Sequence, residues 1–321
     1  MTTRHLVDKE LLAALDVLPA SDMTDETLLV SRANILQMVE SVSPVEGDGI
    51  RVTEISVPGP ANAPDVRVLF YQPETRGGPL PAFLHLHGGG YIVGIPERDD
   101  ARNRLLVREC GCLVISVDYR LAPETPFPGG VEDGYAALLW LYRNAGELGV
   151  DARRIAIGGE SAGGGLAAGL ALLARDRREI PVAFQMLIYP MLDNLTRANG
   201  DDATLAGEFV WTRTSNEYAW RALLGDAHQG RKASPYASAA RAEDLSGLPP
   251  TYIAVGTLDL FVDENIEYAR RLILTGVPTE LKVYPGAYHG FEDLTPEATI
   301  SRAFVRDYVN ALQRALNPVT L

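Results

Sequence analysis

Short runs of apolar residues alternate with helical patterns from about residue 80 to the end of the chain. Five of these runs are almost continuously apolar, and they cover 82–87, 113–119, 154–159, 184–189 and 251–256. Continuous runs of this length predict strands of a parallel sheet that is covered on both faces. Between and after them, apolar positions recur at helical spacing in 97–109, 133–147, 162–178, 260–275 and 298–315. The alternation predicts an α/β fold with a doubly wound, mostly parallel sheet.

Three further runs bring the predicted sheet to eight strands. The runs 51–57 and 65–71 alternate apolar and polar residues around a Pro- and Gly-rich turn, which predicts an antiparallel pair at a sheet edge. The run 280–286 is also predicted to form an edge strand. An edge strand has unpaired backbone groups that a second copy can pair with, so we predict a homodimer through this strand or its neighbouring helix.

Two segments fall outside the alternation. Residues 1–45 contain two helical patterns, marked by Leu11, Leu12, Leu15 and Leu18 and then by Leu28, Leu29, Ile35 and Met38. Residues 192–248 contain no convincing strand but include an aromatic-rich helical pattern at 207–225. Long insertions between strands of such a core usually serve a function.

The composition is acidic, since the 321 residues include 29 Lys and Arg against 42 Asp and Glu, for a net charge of −13. Such a field repels phosphates, so nucleic acid is not expected as a partner. No apolar stretch reaches the ~20 residues of a membrane span, and no secretory signal is visible, so a cytoplasmic protein is predicted. Cys110 and Cys112 have no second Cys or His pair to complete a zinc site, and we expect two buried thiols.

Residues 159–163 read Gly-Glu-Ser-Ala-Gly and stand between a predicted strand and a small-residue helix. A sharp strand-to-helix turn holds its middle residue in a strained backbone conformation, and flanking glycines relieve clashes there. This G-x-S-x-G arrangement predicts Ser161 as a nucleophile. A glycine-rich phosphate-binding turn is the alternative, but such turns usually add a Lys or a G-x-G-x-x-G spacing.

A serine hydroxyl needs a base, and the base needs an acid that fixes its tautomer. In chains with this turn the order is serine, acid, histidine. Of the five histidines, only His228 and His289 follow Ser161, and only His289 follows a predicted strand, so His289 is the predicted base. Asp259 is the first carboxylate beyond the preceding apolar run and is the predicted acid, with Asp263 as the alternative.

Three consecutive glycines, 88–90, follow His87 at the end of the third predicted strand. Glycines let backbone N–H groups approach a ligand closely, and such a loop beside a nucleophile binds the oxyanion formed on attack. We predict that the N–H groups of Gly88, Gly89 and Ala162 are the donors. His87 is expected to hold the loop rather than touch substrate.

Five motifs resemble those of the bacterial hormone-sensitive-lipase-like esterases of the α/β-hydrolase fold: HGGG at 87–90, YRLAPE at 119–124, GESAGG at 159–164, Asp259, and YHGF at 288–291. They match in order and spacing along essentially the whole chain. The resemblance implies hydrolysis of carboxylic esters through an acyl-enzyme, with no metal or cofactor. It also implies a helical cap formed by 1–45 and 192–235 on a catalytic core formed by 46–191 and 236–321.

Two motifs depart from the usual pattern of that family. Glu160 stands where an Asp is common, and 259–265 reads DLFVDEN where D-P-L-R-D is frequent, which affects local packing but keeps the acid. The cap is expected to supply the substrate pocket. The tentative pocket residues are the aromatic side chains Tyr91, Tyr189, Phe209 and Trp211, with Tyr218 and Trp220 as further candidates.

The modest length of the predicted cap indicates esters with short to medium acyl groups. An amidase or deacetylase with the same triad is the alternative, because amides and esters pass through the same tetrahedral chemistry. A third hypothesis is a non-catalytic ligand-binding receptor on the same fold, and the presence of His289 argues against it.

Overall fold

The computed structural model describes residues 2–17, 22–43, 45–75, 77–196, 205–230 and 232–318. A central sheet contains eight strands, which are β1 (Ile50–Val57), β2 (Val66–Pro73), β3 (Leu80–Leu86), β4 (Leu113–Asp118), β5 (Val150–Glu160), β6 (Phe184–Ile188), β7 (Thr251–Gly256) and β8 (Thr279–Tyr284). They lie in the order β1-β2-β4-β3-β5-β6-β7-β8. β2 runs antiparallel to β1 and to β4, and all other neighbours are parallel. The predicted eight-stranded, mostly parallel sheet is confirmed, with β1 and β8 at its edges.

Helices connect the strands and cover both faces of the sheet. In chain order they are α1 (Leu12–Leu15), α2 (Asp25–Glu40), α3 (Asp100–Cys110), α4 (Gly129–Arg143), α5 (Ala145–Leu148), α6 (Ala162–Arg177), α7 (Arg213–Leu224), α8 (Val262–Leu274), α9 (Phe291–Leu294) and α10 (Thr299–Leu316). A short 3₁₀ helix, Pro96–Asp99, leads into α3. Within the described chain no helix is both long and apolar enough to cross a lipid bilayer.

The hydrophobic core lies in two layers, one on each face of the sheet. Successive residues of a strand point to opposite faces, so Phe83 belongs to the layer that includes residues of α3 and α10, whereas its neighbour Leu84 belongs to the layer that includes residues of α4, α6 and α8. Both faces need apolar side chains, which explains why the central strands are continuously apolar in sequence. Cys110 and Cys112 are free and buried, as predicted.

The two predicted cap segments differ in how much helix they form. The first pattern of the amino-terminal segment forms only the four-residue α1, and Leu18 lies outside the described residues. The second pattern forms the 16-residue α2, whose start is capped because Thr24 Oγ1 accepts the Thr27 N–H at 3.2 Å. In the insertion, α7 is the main helix of the described part.

The amino-terminal segment and the insertion contact each other on one side of the sheet. The Met23 N–H donates to Ser215 Oγ at 3.0 Å, and the Tyr218 hydroxyl donates to Asp25 Oδ1 at 2.8 Å. These contacts join α2 to α7 and place both beside the carboxyl ends of the parallel strands. The cap boundaries at 1–45 and 192–235 stay a prediction.

Candidate active site

Ser161 lies in the sharp turn between β5 and α6. Its backbone has φ 55° and ψ −119°, a strained conformation for a residue with a side chain. The turn is held because the Ser161 N–H donates to the Ile188 carbonyl at 2.9 Å. A Cβ at Gly159 or at Gly163 would lie 2.0 or 1.9 Å from the carbonyl oxygen of Leu86, so only glycine fits at both positions. Close packing of the turn against β3 therefore explains the glycines of the motif.

His289 lies between Ser161 and Asp259. Its Nε2 is 2.9 Å from Ser161 Oγ, and its Nδ1 is 2.8 Å from Asp259 Oδ2. The contacts set the tautomer, because Nδ1–H donates to the carboxylate and Nε2 accepts from the hydroxyl. All three side chains are buried. The structure thus brings together the predicted nucleophile, base and acid from the ends of three different strands, β5, β8 and β7.

Asp263, the alternative acid, lies elsewhere. It is exposed in the first turn of α8. There the helix dipole stabilises a carboxylate, which accounts for Asp263 without any contact with His289. Asp259 is held in place, since its Oδ1 accepts the Phe261 N–H at 2.9 Å.

Three aromatic rings surround the imidazole of His289. Their ring centres lie 4.6 Å (Tyr189), 5.3 Å (Phe261) and 6.5 Å (Trp211) from that of His289. The Tyr189 hydroxyl is tied down as well, because it donates to the Glu292 carboxyl. The rings restrict the imidazole to one orientation, with Nε2 facing the serine.

The glycine loop after β3 passes close to Ser161. A Cβ built on Gly88 would lie 3.6 Å from Ser161 Cβ, and Gly89 has φ 119°, a conformation that side chains rarely adopt. No acceptor within the described residues takes the backbone N–H of Gly88, Gly89 or Ala162. These N–H groups are available to a ligand at Ser161, and their role as oxyanion donors stays a prediction.

His87 holds this loop in place through hydrogen bonds and ring stacking. Its Nδ1–H donates to the Gly88 carbonyl at 2.8 Å, and its ring stacks on Tyr119 with ring centres 4.2 Å apart. The Tyr119 hydroxyl in turn donates to the His87 carbonyl at 2.7 Å. Burial lowers the pKa of His87, so the ring is neutral. These contacts are those of a residue that holds the loop.

A cleft of about 400 Å³ opens onto Ser161 and His289. One wall is apolar and comes from α2, the glycine loop and the insertion, with Met23, Ile35, Met38, Val93, Val210 and Trp211. The charged lining residues come from the 3₁₀ helix before α3, the first turn of α3, the end of β5 and α9, and they are Arg98, Asp99, Arg102, Glu160 and Asp293. A bound molecule therefore meets an apolar and a charged side.

Of the four tentative pocket residues, Tyr189 and Trp211 line this cleft and Tyr91 and Phe209 do not. The prediction for Tyr91 is corrected. With φ 65°, Tyr91 turns its side chain into the core, where the hydroxyl donates to the Met191 carbonyl at 2.9 Å. The prediction for Phe209 is corrected too, because its ring packs against Tyr288 with ring centres 6.1 Å apart.

The two further aromatic candidates belong to the packing of α7. Tyr218 and Trp220 are buried, and Trp220 packs against the Tyr91 ring with centres 5.4 Å apart. Helical spacing of aromatic residues here marks a buried helix face rather than a pocket.

A buried group of charges lies next to Ser161 and was not predicted from the sequence. Arg102 contacts four carboxyl groups, those of Asp99, Glu160, Glu292 and Asp293. Burial opposes the charge on Arg102, but Asp293 and Glu160 hold its pKa well above the usual value. No motif marks these residues, and they stand up to 194 positions apart in the sequence.

Glu160 also contacts His85, a residue of β3. The Glu160 Oε2 to His85 Nε2 distance is 2.9 Å, and His85 Nδ1 is 2.9 Å from Ser116 Oγ. Burial alone would lower the pKa of His85, but the Glu160 carboxylate raises it. His85, Asp99 and Glu160 could each offer a metal ion one ligand atom, within 4.8 Å of one another. The Arg102 guanidinium faces both carboxylates, so a positive charge already fills this position.

Comparisons with known proteins agree with this geometry. A family model described as the α/β hydrolase fold matches residues 83–293. Carboxylic ester hydrolase LipN of Mycobacterium tuberculosis is 35% identical over 301 residues, covering 92% of this chain and 78% of the relative. Carboxylesterase NlhH of the same organism is 33% identical over 317 residues, covering 97% of each. A solved structure of a bacterial heroin esterase is 41% identical with a TM-score of 0.90, covering 98% of this chain and 100% of that one.

Proposed function

The chain belongs to the α/β-hydrolase-fold family and is a hormone-sensitive-lipase-like carboxylic ester hydrolase, and we propose that Ser161, His289 and Asp259 carry out its reaction. The observation that carries the proposal is the continuous hydrogen-bond chain from Ser161 Oγ through the imidazole to Asp259, with distances of 2.9 and 2.8 Å. In this arrangement the imidazole can take the serine proton, and the carboxylate stabilises the imidazolium that forms.

The proposed reaction has two halves. Ser161 Oγ attacks the ester carbonyl carbon while its proton passes to His289 Nε2, and the N–H groups of Gly88, Gly89 and Ala162 bind the oxyanion. Collapse breaks the bond to the alcohol, which leaves with the proton from His289, and the acyl group stays on Ser161. A water then gives its proton to His289 and attacks the acyl-enzyme. The second collapse releases the acid and returns the proton to Ser161 Oγ.

We propose that the acyl groups are short to medium in length and that 1–45 and 192–235 form the cap over them. The apolar wall of the cleft supports this proposal, because all of its side chains except Val93 come from 1–45 or from the insertion. A cleft of about 400 Å³ that must also hold the alcohol part leaves little room for a long chain. A series of p-nitrophenyl esters is expected to peak at short or medium acyl groups. A maximum at long acyl groups would contradict the proposal.

Covalent labelling tests the assignment of the triad. A fluorophosphonate probe is expected to add one phosphonyl group to Ser161, located by peptide mass spectrometry. Ser161→Ala should abolish labelling and lower kcat by several orders of magnitude. Ser246 is an exposed serine whose hydroxyl donates to Asp244, and Ser246→Ala is the matched control that should keep full activity. Retained hydrolysis in purified Ser161→Ala, or labelling at another residue, would overturn the assignment.

We further propose a homodimer through β8 or the adjacent α8. β8 lies at the sheet edge with Val283 exposed, and α8 exposes Ile266, Ile273 and Leu274. Apolar side chains beside unpaired strand groups favour association with a second copy. Light scattering at micromolar concentration is expected to give twice the chain mass of 34.8 kDa. A mass of one chain would contradict the proposal.

The proposed location of this enzyme is the cytoplasm. Its two cysteines are unpaired thiols, and secreted proteins more often carry disulfides. Cell fractionation with an antibody against the protein is expected to detect it in the cytoplasmic fraction. Detection mainly in the medium or in a periplasmic extract would contradict the proposal.

A further inference from the structure

Arg102 contacts both of the segments that carry the proposed nucleophile and base. It lies in the first turn of α3, and only 9% of its side chain is exposed. On one side its Nη1 lies 3.1 Å from Oε1 of Glu160, the residue immediately before Ser161. On the other side its Nη2 lies 3.3 Å from Glu292 Oε1 and 2.8 Å from Asp293 Oδ1, on α9. α9 begins two residues after His289, so one guanidinium spans the serine turn and the histidine loop.

The contact on the serine side is rigid. Glu160 is held at its second carboxylate oxygen by His85, which is fully buried in β3. The backbone of Glu160 lies in the ladder between β5 and β6, opposite Ile188. Burial would raise the pKa of Glu160, but Arg102 and His85 lower it, so the residue is ionised. Arg102 is therefore anchored to a fixed charge directly beside the nucleophile.

The contact on the histidine side leads back to the imidazole. Glu292 accepts the Tyr189 hydroxyl as well as the Arg102 N–H, and the Tyr189 ring packs on His289 with centres 4.6 Å apart. Tyr189 follows β6 directly, and its N–H donates to the Ala254 carbonyl of β7 at 2.6 Å. A shift of α9 would therefore move both Glu292 and the ring that orients the imidazole.

An arginine suits this position because its planar fork has two separate N–H-bearing ends. Nη1 faces Asp99 and Glu160, while Nη2 faces Glu292 and Asp293. A lysine ammonium is a single point of charge and cannot reach both pairs in the same way. The other arginine of this helix that is equally buried, Arg104, pairs with Asp48 and Asp100 and does not line the cleft.

We propose that Arg102 is a positioning residue for the ester hydrolysis, which joins the serine turn to the histidine loop and so keeps Ser161 Oγ within reach of His289 Nε2. The inference rests on the proposed function, since it assigns Arg102 a role through those two residues. It acts on the chemical step, because an error of about 1 Å between reacting groups can cost roughly 100-fold in rate.

The test compares Arg102→Gln, Arg102→Lys and the matched control Arg104→Gln, with p-nitrophenyl butyrate as substrate. Arg102→Gln is expected to lower kcat by roughly 10- to 100-fold with KM changed less than about threefold. Arg102→Lys keeps the charge but not the fork, and should recover only part of that loss. Arg104→Gln should keep kcat within about twofold. Circular dichroism and thermal melting establish that each variant is folded.

Asp293→Asn keeps the proposal testable if Arg102→Gln does not fold. Asp293 is 44% exposed, so its substitution removes one ion pair of Arg102 at small cost to stability. In this variant kcat should fall severalfold at constant KM. The proposal is overturned by a folded Arg102→Gln with unchanged kcat, by a change in KM alone, or by full activity of Arg102→Lys. Failure of the proposed function is distinct, because Ser161 would then stay unlabelled by the fluorophosphonate in the unsubstituted enzyme.

Discussion

Arg32 of α2 and Glu124 form a two-pronged ion pair, with Nη1–Oε1 and Nη2–Oε2 distances of 2.7 and 2.9 Å. The same guanidinium donates to the carbonyls of Ile92 and Ala122, each at 2.8 Å. By contrast, Leu28 is the only fully buried side chain among the described residues of α2. The helix that forms part of the apolar wall of the cleft thus buries little apolar surface of its own, and Arg32 provides four of the hydrogen bonds that hold it to the core.

Arg32→Met is expected to loosen α2 over the cleft. The loss of four hydrogen bonds should raise KM and lower kcat/KM by roughly 3- to 10-fold, since a partly exposed ion pair contributes about 1 kcal/mol. The melting temperature should change little. Steady-state kinetics measures the change in KM and kcat/KM. The loosening of α2 should appear as faster limited proteolysis within 22–43. Arg302 lies on α10 and forms an exposed ion pair with Glu297, so Arg302→Met serves as the control. Unchanged KM with unchanged proteolysis would contradict the role given to Arg32.

Asp259→Asn is expected to lower kcat by about 10³- to 10⁴-fold, because an amide can stabilise the wrong imidazole tautomer and gives the imidazolium no charge partner. KM should change little, since Asp259 is fully buried and does not line the cleft. Asp263→Asn, four residues along the chain and exposed, is the matched control and should retain activity. Comparable losses in the two variants would contradict the assignment of the acid.

The sequence was sufficient for the sheet and for the three side chains that the structure brings together at the proposed site, because both follow from local rules. Continuous apolar runs marked the strands, and Ser161, Asp259 and His289 each stand just beyond a strand whose end was readable. The glycines of the serine turn were predicted from backbone strain and are explained by the closeness of the Leu86 carbonyl.

Contacts that depend on packing were out of reach of the sequence. Tyr91 stands beside the glycine loop, yet its positive φ sends its ring into the core. The four carboxyl groups around Arg102 come from three separate segments, and nothing local marks a guanidinium that will be buried among them. Such relationships arise only when the loops at the strand ends meet.

Gly90 and Trp211 are expected to show strong coupling in a double-mutant cycle. Gly90 has φ 61°, and a Cβ there would lie 2.3 Å from Cη2 of the Trp211 ring. Gly90→Ala should therefore displace the ring and reduce activity, while Trp211→Ala should enlarge the cleft and shift the acyl preference toward longer esters. In the double variant the ring is absent and the clash is gone. Gly90→Ala should therefore reduce kcat/KM less in the Trp211→Ala background than in the unsubstituted protein. Additive effects on kcat/KM would show that the two residues do not interact.

Glu292→Gln is expected to change how stability depends on pH. Burial and the nearby Asp293 raise the pKa of Glu292 from the ordinary 4.5 to about 8. The folded protein therefore keeps a proton that the unfolded chain loses above about pH 4.5. Because the raised pKa belongs to the folded state, this contribution to stability is full below pH 4.5 and is lost as the pH rises toward 8.

A glutamine does not titrate, so the stability of Glu292→Gln relative to the unsubstituted protein should increase from pH 5 to pH 8, on the order of 1 kcal/mol per pH unit. Denaturant unfolding followed by circular dichroism at pH 5, 6, 7 and 8 measures this difference. Glu297→Gln, at an exposed position, is the matched control and should give a constant difference. The opposite slope, with the glutamine variant gaining toward low pH, would mean that Glu292 is ionised in the folded protein and that Arg102 compensates it fully.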